Sequence, residues 1–155
     1  HDLPGIAPTV GVVTNLSPDH LDRYPSLEAY YGDKARMFRN ATPASRWVLN
    51  ADQREVLDLW RLMPGDVTPR PAALAGRVAT FSLAGEADAW YDARTGTLVL
   101  AGAPLLARDA FPLVGDHNVA NALTAALAVW EADAAHRTPA ARAAIAEALR
   151  GFHAL

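Results

Sequence analysis

The first residues that could carry chemistry follow a short apolar run near the start of the chain. Residues 9–14 are β-branched and apolar without alternation, which predicts a strand buried on both faces of a parallel sheet. The polar loop that follows contains Asn15, Asp19, His20 and Asp22. In open α/β sheets, ligands bind beyond the carboxyl ends of the strands. His20 could bind a divalent cation there while a carboxylate orients its ring; alternatively, the loop is solvated and Asp19 caps a turn.

A lone lysine is the second candidate. The 14 basic residues are 13 arginines and Lys34. On the predicted helix around it, the apolar residues are Leu27, Tyr30, Tyr31, Met37 and Phe38. Helical spacing places Lys34 in the middle of this apolar face. Its amine could reach solvent along the stem, which is the commoner outcome, or it could be neutral or paired with an anion. A neutral lysine could also add carbon dioxide, and the resulting carbamate is an oxygen ligand for a hard cation that arginine cannot replace.

The third candidate is a pair of asparagines late in the chain. Asn118 and Asn121 are one turn apart at the start of a predicted helix, so both amides can face the same ligand. A side-chain amide offers the paired donor and acceptor that the edge of adenine requires. The residues alone favour the simpler alternative, in which Asp116 and Asn118 cap the helix.

The composition excludes several classes of function. The chain has 155 residues, of which 51% are hydrophobic, and this suits one domain with a sizeable core. Its net charge of -3 without a basic block argues against nucleic-acid binding, and no segment is apolar enough to span a membrane. Cysteine is absent, which excludes disulfides and thiolate chemistry. The first residues show no signal pattern, so we expect a cytoplasmic protein.

The elements that must position these candidates alternate between strands and helices. Ser26 is the predicted cap of a helix that runs to about Asn40. Residues 46–50 predict the next buried strand, and a helix follows from about Gln53 to Met63. This order is typical of an α/β fold with a parallel sheet.

The middle of the chain predicts a different arrangement. A Pro-rich stretch over residues 64–71 interrupts the pattern. The short strands predicted after it are residues 77–83, 87–92 and 97–101. Gly96 suits the turn between the last two, so we expect a small antiparallel meander over about 77–102. Two helices are then predicted, one from about residue 117 and one over about 139–150.

In order and spacing, the motifs together resemble the central domain of the Mur ligases, which are ATP-dependent amide ligases of peptidoglycan synthesis. They are residues 14–24 (TNLSPDHLDRY), Lys34, residues 48–52 (VLNAD) and residues 115–121 (GDHNVAN). The residues of these motifs are most similar to those of members that add D-glutamate to UDP-N-acetylmuramoyl-L-alanine. Members that add a diamino acid or lysine are the closest competitors.

The resemblance implies a role for each candidate residue. Lys34 matches the carbamylated lysine of the family and His20 its magnesium-binding histidine. Asp19 would line the same site. Asn118 and Asn121 match residues of the ATP site, with Asn121 on the adenine. The implied reaction uses ATP and Mg2+ to phosphorylate the substrate carboxylate, and the amine of D-glutamate then attacks the acyl phosphate.

Against the family pattern, residues 1–155 are expected to be a single incomplete central domain. The phosphate loop and the N-terminal and C-terminal domains of the family are not in this sequence. We therefore expect the chain by itself to lack ligase activity and Lys34 to carry a free amine in it. Exposed sheet edges would favour a homodimer. The alternatives are a non-catalytic domain that retains the fold and a metal-dependent hydrolase, which the scattered histidines disfavour.

Overall fold

The strands of the chain form one mixed sheet. The computed structural model describes residues 7–17, 24–65 and 72–152. Within them the strands are β1 (Val10–Val13), β2 (Arg46–Asn50), β3 (Arg77–Ser82), β4 (Ala89–Asp92), β5 (Thr97–Leu100) and β6 (Ala103–Ala107). They lie in the sheet in chain order, and the first three pairings are parallel while the last two are antiparallel. The predicted α/β class with a mostly parallel sheet is confirmed.

Helices flank this sheet. The α-helices of the described residues are α1 (Leu27–Ala35), α2 (Arg54–Asp58), α3 (Asp116–Ala132) and α4 (Pro139–Arg150). Short 3-10 turns continue α1 over Arg36–Phe38 and α2 over Leu59–Leu62. Ser26 caps α1 as predicted, since its hydroxyl accepts a hydrogen bond from the Ala29 N–H at 3.1 Å. Among the described helices, none combines the length and apolar character needed to cross a membrane.

Strand β2 explains why helices cover both faces. Trp47, Val48 and Leu49 are each at most 1% exposed. Trp47 and Leu49 pack in the apolar cluster formed with α1 and α2, whereas Val48 packs in the cluster formed with α3 and α4. An uninterrupted apolar run is what a parallel strand between two helical layers requires.

Strand β1 differs from the prediction of a strand buried on both faces. It lies at the edge of the sheet, and Val12 is 36% exposed while Val13 is buried. Gly11 lies under the indole of Trp47, where an added Cβ would be 2.2 Å from a ring carbon. The space that a side chain would fill at position 11 is thus already occupied by the neighbouring strand.

The antiparallel part begins and ends later than predicted, over residues 89–107 instead of about 77–102. β3 is not part of it, because this strand pairs in parallel with both β2 and β4. Strand β6 was not predicted, and it contains Pro104, which the last strand of the sheet tolerates because one side needs no N–H donor. Two antiparallel pairings restore β6 to the direction of β1–β4, so α3 starts at the carboxyl edge of the parallel strands.

Candidate functional site

The loop after β1 is bonded to side chains that follow β2. The Asn50 amide donates to the Thr14 carbonyl at 2.8 Å, and the Leu16 N–H donates to Gln53 Oε1 at 3.0 Å. Asn50 Oδ1 also accepts from the Asp52 N–H at 2.8 Å. These bonds order the backbone at the carboxyl end of β1. Gln53 was not among the predicted site residues, although a polar cluster directly after a buried strand is the same signal that drew attention to Asn15.

Asp52 extends this arrangement to β3. One carboxylate oxygen accepts from the Ser82 hydroxyl, and the other accepts from the Leu83 N–H at 2.7 Å. The Ser82 oxygen in turn accepts from the N–H groups of Ala84 and Gly85 at 3.0 and 2.9 Å. The loop after β2 therefore connects the carboxyl ends of three neighbouring strands.

Lys34 lies beside the loop after β1. Its ammonium nitrogen is 4.8 Å from the centroid of the Tyr30 ring, a cation–π distance, and the Tyr30 hydroxyl donates to the Ser17 carbonyl at 2.8 Å. Lys34 also lines a cavity of about 330 Å³ with Val12, Val13, Thr14, Asn15, Leu16, Met37 and Leu59. The helix thus brings the lone lysine to the end of β1.

The prediction that Lys34 lies in the middle of an apolar face is wrong. Its side chain is exposed, and Leu27, which was counted in the same face, is 43% exposed. The buried residues of α1 are Tyr30, Gly32 and Ala35. Lys34 is at the margin of the contact surface, so its stem follows apolar groups while its charge reaches solvent. This is the commoner of the outcomes considered from the sequence.

Asp19 and His20 lie outside the described residues, as does Asp22. Within residues 7–17, 24–65 and 72–152, no group of three or more His, Cys, Asp or Glu side chains could hold a metal ion. The metal-binding role of His20 and the site role of Asp19 therefore stay predictions.

A second cavity of about 330 Å³ lies at the start of α3. It is lined by Phe111, Leu113, Asn118, Asn121, Ala122, Ala125, Leu149 and Phe152. The two predicted asparagines thus share one cavity, as their spacing on a helix requires. Apart from these two amides its lining is apolar, a combination typical of sites that bind a flat, partly polar ring.

Asn118 also orders the start of α3. Its amide donates to the Val114 carbonyl at 2.7 Å. The residue before the helix is Gly115 and no side chain makes a capping bond there, so the prediction that Asp116 and Asn118 cap the helix is wrong. Gly115 begins the helix with a φ of +94°, and an added Cβ there would lie 2.9 Å from the His117 ring. Asn121, one turn later, is exposed. Asn118 therefore has a structural bond, whereas Asn121 is exposed and lines the cavity.

Arg108 shapes the wall of this second cavity. Its guanidinium donates to the carbonyls of Phe111 and Leu113 at 3.2 and 2.9 Å. Both of these residues line the cavity. The sequence offered no signal for Arg108, because its partners are backbone groups and any residue type could supply them.

Both cavities lie at the carboxyl edge of the sheet. The first follows β1 directly, and the second is formed where the chain leaves β6 and enters α3. Because β6 runs parallel to β1, the two exits are at the same edge. The fold is that of an α/β domain, and its candidate site lies beyond the carboxyl ends of its strands.

The chain belongs to the Mur ligase family, since residues 1–129 match the family model of the Mur ligase middle domain. It is 40% identical over 124 residues to UDP-N-acetylmuramoylalanine--D-glutamate ligase of Methylococcus capsulatus, covering 79% of this chain and 24% of that protein. It is 38% identical over 145 residues to the enzyme of the same name from Nitrosococcus oceani, covering 92% of this chain and 28% of that protein. The chain thus spans about a quarter of the length of these relatives.

A solved structure shares the fold. The crystal structure of UDP-N-acetylmuramate:L-alanyl-gamma-D-glutamyl-meso-diaminopimelate ligase from Neisseria meningitides matches with a TM-score of 0.67 at 22% identity. The match covers 96% of this chain and 41% of that one.

Proposed function

We propose that this chain is the central-domain part of a ligase that adds D-glutamate to UDP-N-acetylmuramoyl-L-alanine. The observation that carries the proposal is the pair of cavities at one sheet edge, one apolar with two amides and one beside Lys34. Relatives at 40% and 38% identity are named for this reaction, which supports the choice of substrates. We assign the adenine to the cavity with Asn118 and Asn121 and the phosphates to the cavity with Lys34.

The reaction needs positioning and charge stabilisation more than covalent help from the protein. The substrate carboxylate attacks the γ-phosphorus of ATP, and ADP leaves. The amine of D-glutamate then attacks the carbonyl of the acyl phosphate, and inorganic phosphate leaves. In this scheme Lys34 and the ordered backbone of residues 14–17 face the phosphates.

Magnesium fits the cavity beside Lys34 through oxygen donors. Thr14 and Asn15 line it, and their side chains offer the hard oxygen atoms that Mg2+ prefers. Lys34 as an ammonium repels a cation, so it would bind the metal only as a carbamate. His20 is the further proposed ligand, with Asp19 lining the site. When bound, the metal would neutralise charge on the transferring phosphoryl group.

We place the ligase in the cytoplasm, where its substrates would be soluble nucleotide derivatives. Residues 1–155 alone, as an incomplete central domain, should not turn over ATP. The open side of β1 at the sheet edge could pair with another copy of the chain as a homodimer.

The substrate assignment is tested by ADP release from the full-length product of the gene that encodes this chain. We expect release to require both UDP-N-acetylmuramoyl-L-alanine and D-glutamate. Release that requires lysine or a diamino acid with a longer UDP-linked peptide would assign the chain to another member of the family. No nucleotide turnover with any of these pairs would favour a non-catalytic domain.

The role of Lys34 is tested by two substitutions in the same protein. Lys34→Ala should lower turnover by at least about 100-fold, the scale expected for losing a preorganised charge at a phosphoryl group. A short-chain carboxylate should restore part of it if a carbamate is needed. Lys34→Arg is the matched control: it keeps the charge but cannot form the carbamate. Full activity of Lys34→Arg would exclude the carbamate and leave a purely electrostatic role.

A further inference from the structure

Gln53 occupies a helix-capping position but does not cap its helix. It is the residue before α2, with extended backbone (φ -122°, ψ 108°), and its side chain makes no capping hydrogen bond. Its oxygen instead accepts from the N–H of Leu16, 37 positions earlier in the chain. Glutamine is not among the side chains that usually cap helices, and the bond that its oxygen makes is the one to the loop after β1.

The segment that Gln53 contacts has three separate attachments. The Thr14 carbonyl accepts from Asn50, the Leu16 N–H donates to Gln53, and the Ser17 carbonyl accepts from Tyr30. Gln53 is thus the attachment in the middle of residues 14–17. The other side of the same segment lines the cavity that Lys34 shares.

The hydrogen bond between the Leu16 N–H and Gln53 is partly buried, so its loss would be costly. Leu16 is 8% exposed and its side chain packs in the cluster beneath α1 and α2. A partly buried N–H that loses its acceptor is costly, so the backbone at Leu16 would shift to find a new partner. Such a shift would move residues 14 and 15 relative to Lys34, and small errors in placement reduce the rates of phosphoryl transfer strongly.

We propose that Gln53 is a positioning residue for the transfer step, acting through the Leu16 N–H to fix residues 14–17 against Lys34. This inference rests on the proposed function. Gln53 does not line either cavity that we assign to the nucleotide. Its removal should therefore affect the rate of the chemical step and leave nucleotide affinity nearly unchanged.

The test is Gln53→Met in the full-length gene product, since methionine keeps the length of the side chain without the acceptor oxygen. We expect kcat for ADP release to fall about ten- to hundredfold while the KM for ATP changes less than twofold. Amide hydrogen exchange at Leu16 should become at least about tenfold faster, which reports the lost bond directly.

Thr138→Ala is the matched control. Thr138 caps α4 through the Ala141 N–H at 3.1 Å, so its loss removes a bond of the same type far from the loop after β1. We expect kcat to be unchanged in this variant. A similar fall in kcat for both variants would reduce the effect to general destabilisation and overturn the inference.

Two other outcomes are equally decisive. Wild-type kcat in Gln53→Met, with or without faster exchange at Leu16, would overturn the inference and leave the proposed function intact. Absence of D-glutamate-dependent ADP release in the wild-type protein would overturn the proposed function, and the inference with it.

Discussion

The two ends of the sheet are fixed by different chemistry. At the amino end, the Glu131 carboxylate is 3% exposed and lies 3.0 Å from Arg77 and 2.7 Å from Arg137. At the carboxyl end, Asn50 and Gln53 make neutral hydrogen bonds to backbone groups of the loop after β1. The amino end thus joins the end of α3 to the start of β3 through a buried charge, whereas the side chains at the carboxyl end, Asp52 included, bond mainly to backbone groups of the loops.

This difference gives the amino end the larger share in stability and leaves space for the candidate site at the carboxyl end. A buried carboxylate needs both of its partners close and leaves no room for a ligand. Hydrogen bonds from side chains to single backbone groups leave the rest of each loop available, and both candidate cavities lie there. We therefore expect substitutions at the amino end to change the free energy of unfolding most, and those at the carboxyl end to change it less.

The largest expected effect is that of Glu131→Gln. Losing the charge leaves the two arginines without their shared anion. Because both arginines are partly exposed, the loss should be smaller than for a fully buried pair, and we expect the free energy of unfolding to fall by about 2–4 kcal/mol. Chemical denaturation measures the change. Glu147→Gln is the control, since its pair with Arg150 is on the surface and should contribute less than about 0.5 kcal/mol. Equal effects of the two substitutions would contradict the importance of burial.

Next is Gly76→Ala, also at the amino end. Gly76 has a φ of +96°, and an added Cβ would lie 2.4 Å from the Ser45 carbonyl oxygen. We expect a loss of about 2–3 kcal/mol, from backbone strain together with the steric contact. Gly102→Ala separates the two causes, because Gly102 has a φ of +71° in open space and should cost only about 1 kcal/mol. Equal denaturation midpoints for Gly76→Ala and Gly102→Ala would show that the steric contact at Gly76 does not contribute.

Asp52→Asn is the corresponding change at the carboxyl end. The amide can accept only one of the two bonds now made to Ser82 and Leu83, so we expect a loss of about 1–2 kcal/mol. Asp58→Asn, in an exposed pair with Arg54 and Arg61, is the control and should change stability by less than about 0.5 kcal/mol. A loss for Asp52→Asn that exceeds the loss for Glu131→Gln would reverse the comparison between the two ends.

The smallest effect concerns Asp92, the last residue of β4. Burial acts to raise the pKa of this carboxyl, but hydrogen bonds from Thr95 and the Arg94 N–H, together with the Arg94 charge, lower it below 3.8 overall. A lowered folded-state pKa contributes stability above the unfolded pKa, and this contribution is lost as the pH falls through the folded value. Stability measured from pH 5 to pH 2 should therefore fall less steeply in Asp92→Asn than in the wild type. Parallel curves would remove Asp92 as a contributor.

Elements with strong local signals could be predicted from the sequence. The bounds of β2 at residues 46–50 and the Ser26 cap of α1 are confirmed. The turn at Gly96 has the positive φ of +63° that its sequence requires. The cap and the turn depend on contacts between residues close in the chain, and β2 is an uninterrupted apolar run; spacing and composition report both directly.

Pairing and edge position could not be predicted in the same way. β3 was expected in an antiparallel meander, yet its hydrogen-bonding partners are parallel strands. A strand pattern records which face is buried but not the direction of the neighbour. β6 was not predicted, and it contains Pro104, which a strand tolerates at the edge of a sheet; only the tertiary structure defines that edge.

The candidate site was predicted in part. The spacing of Asn118 and Asn121 placed both at one cavity, because helix geometry fixes that relation. The burial of Lys34 was misjudged because Leu27, an exposed residue, was counted toward the apolar face. The contacts of Gln53 and Arg108 were missed, since their partners are backbone groups that carry no signature in the sequence.

The two tight connections among β4, β5 and β6 also bear on how the chain folds. Residues 93–96 and 101–102 join these strands, and Ala101 and Gly102 both have the positive φ of a preformed hairpin turn. Pairing β1 with β2 instead requires closing a loop of more than 30 residues, which is slower. We expect the hairpins to form first and to serve as the surface on which α3 docks. Pulse-labelled hydrogen exchange should then protect the amides of Leu98 and Leu106 before those of Val13 and Val48.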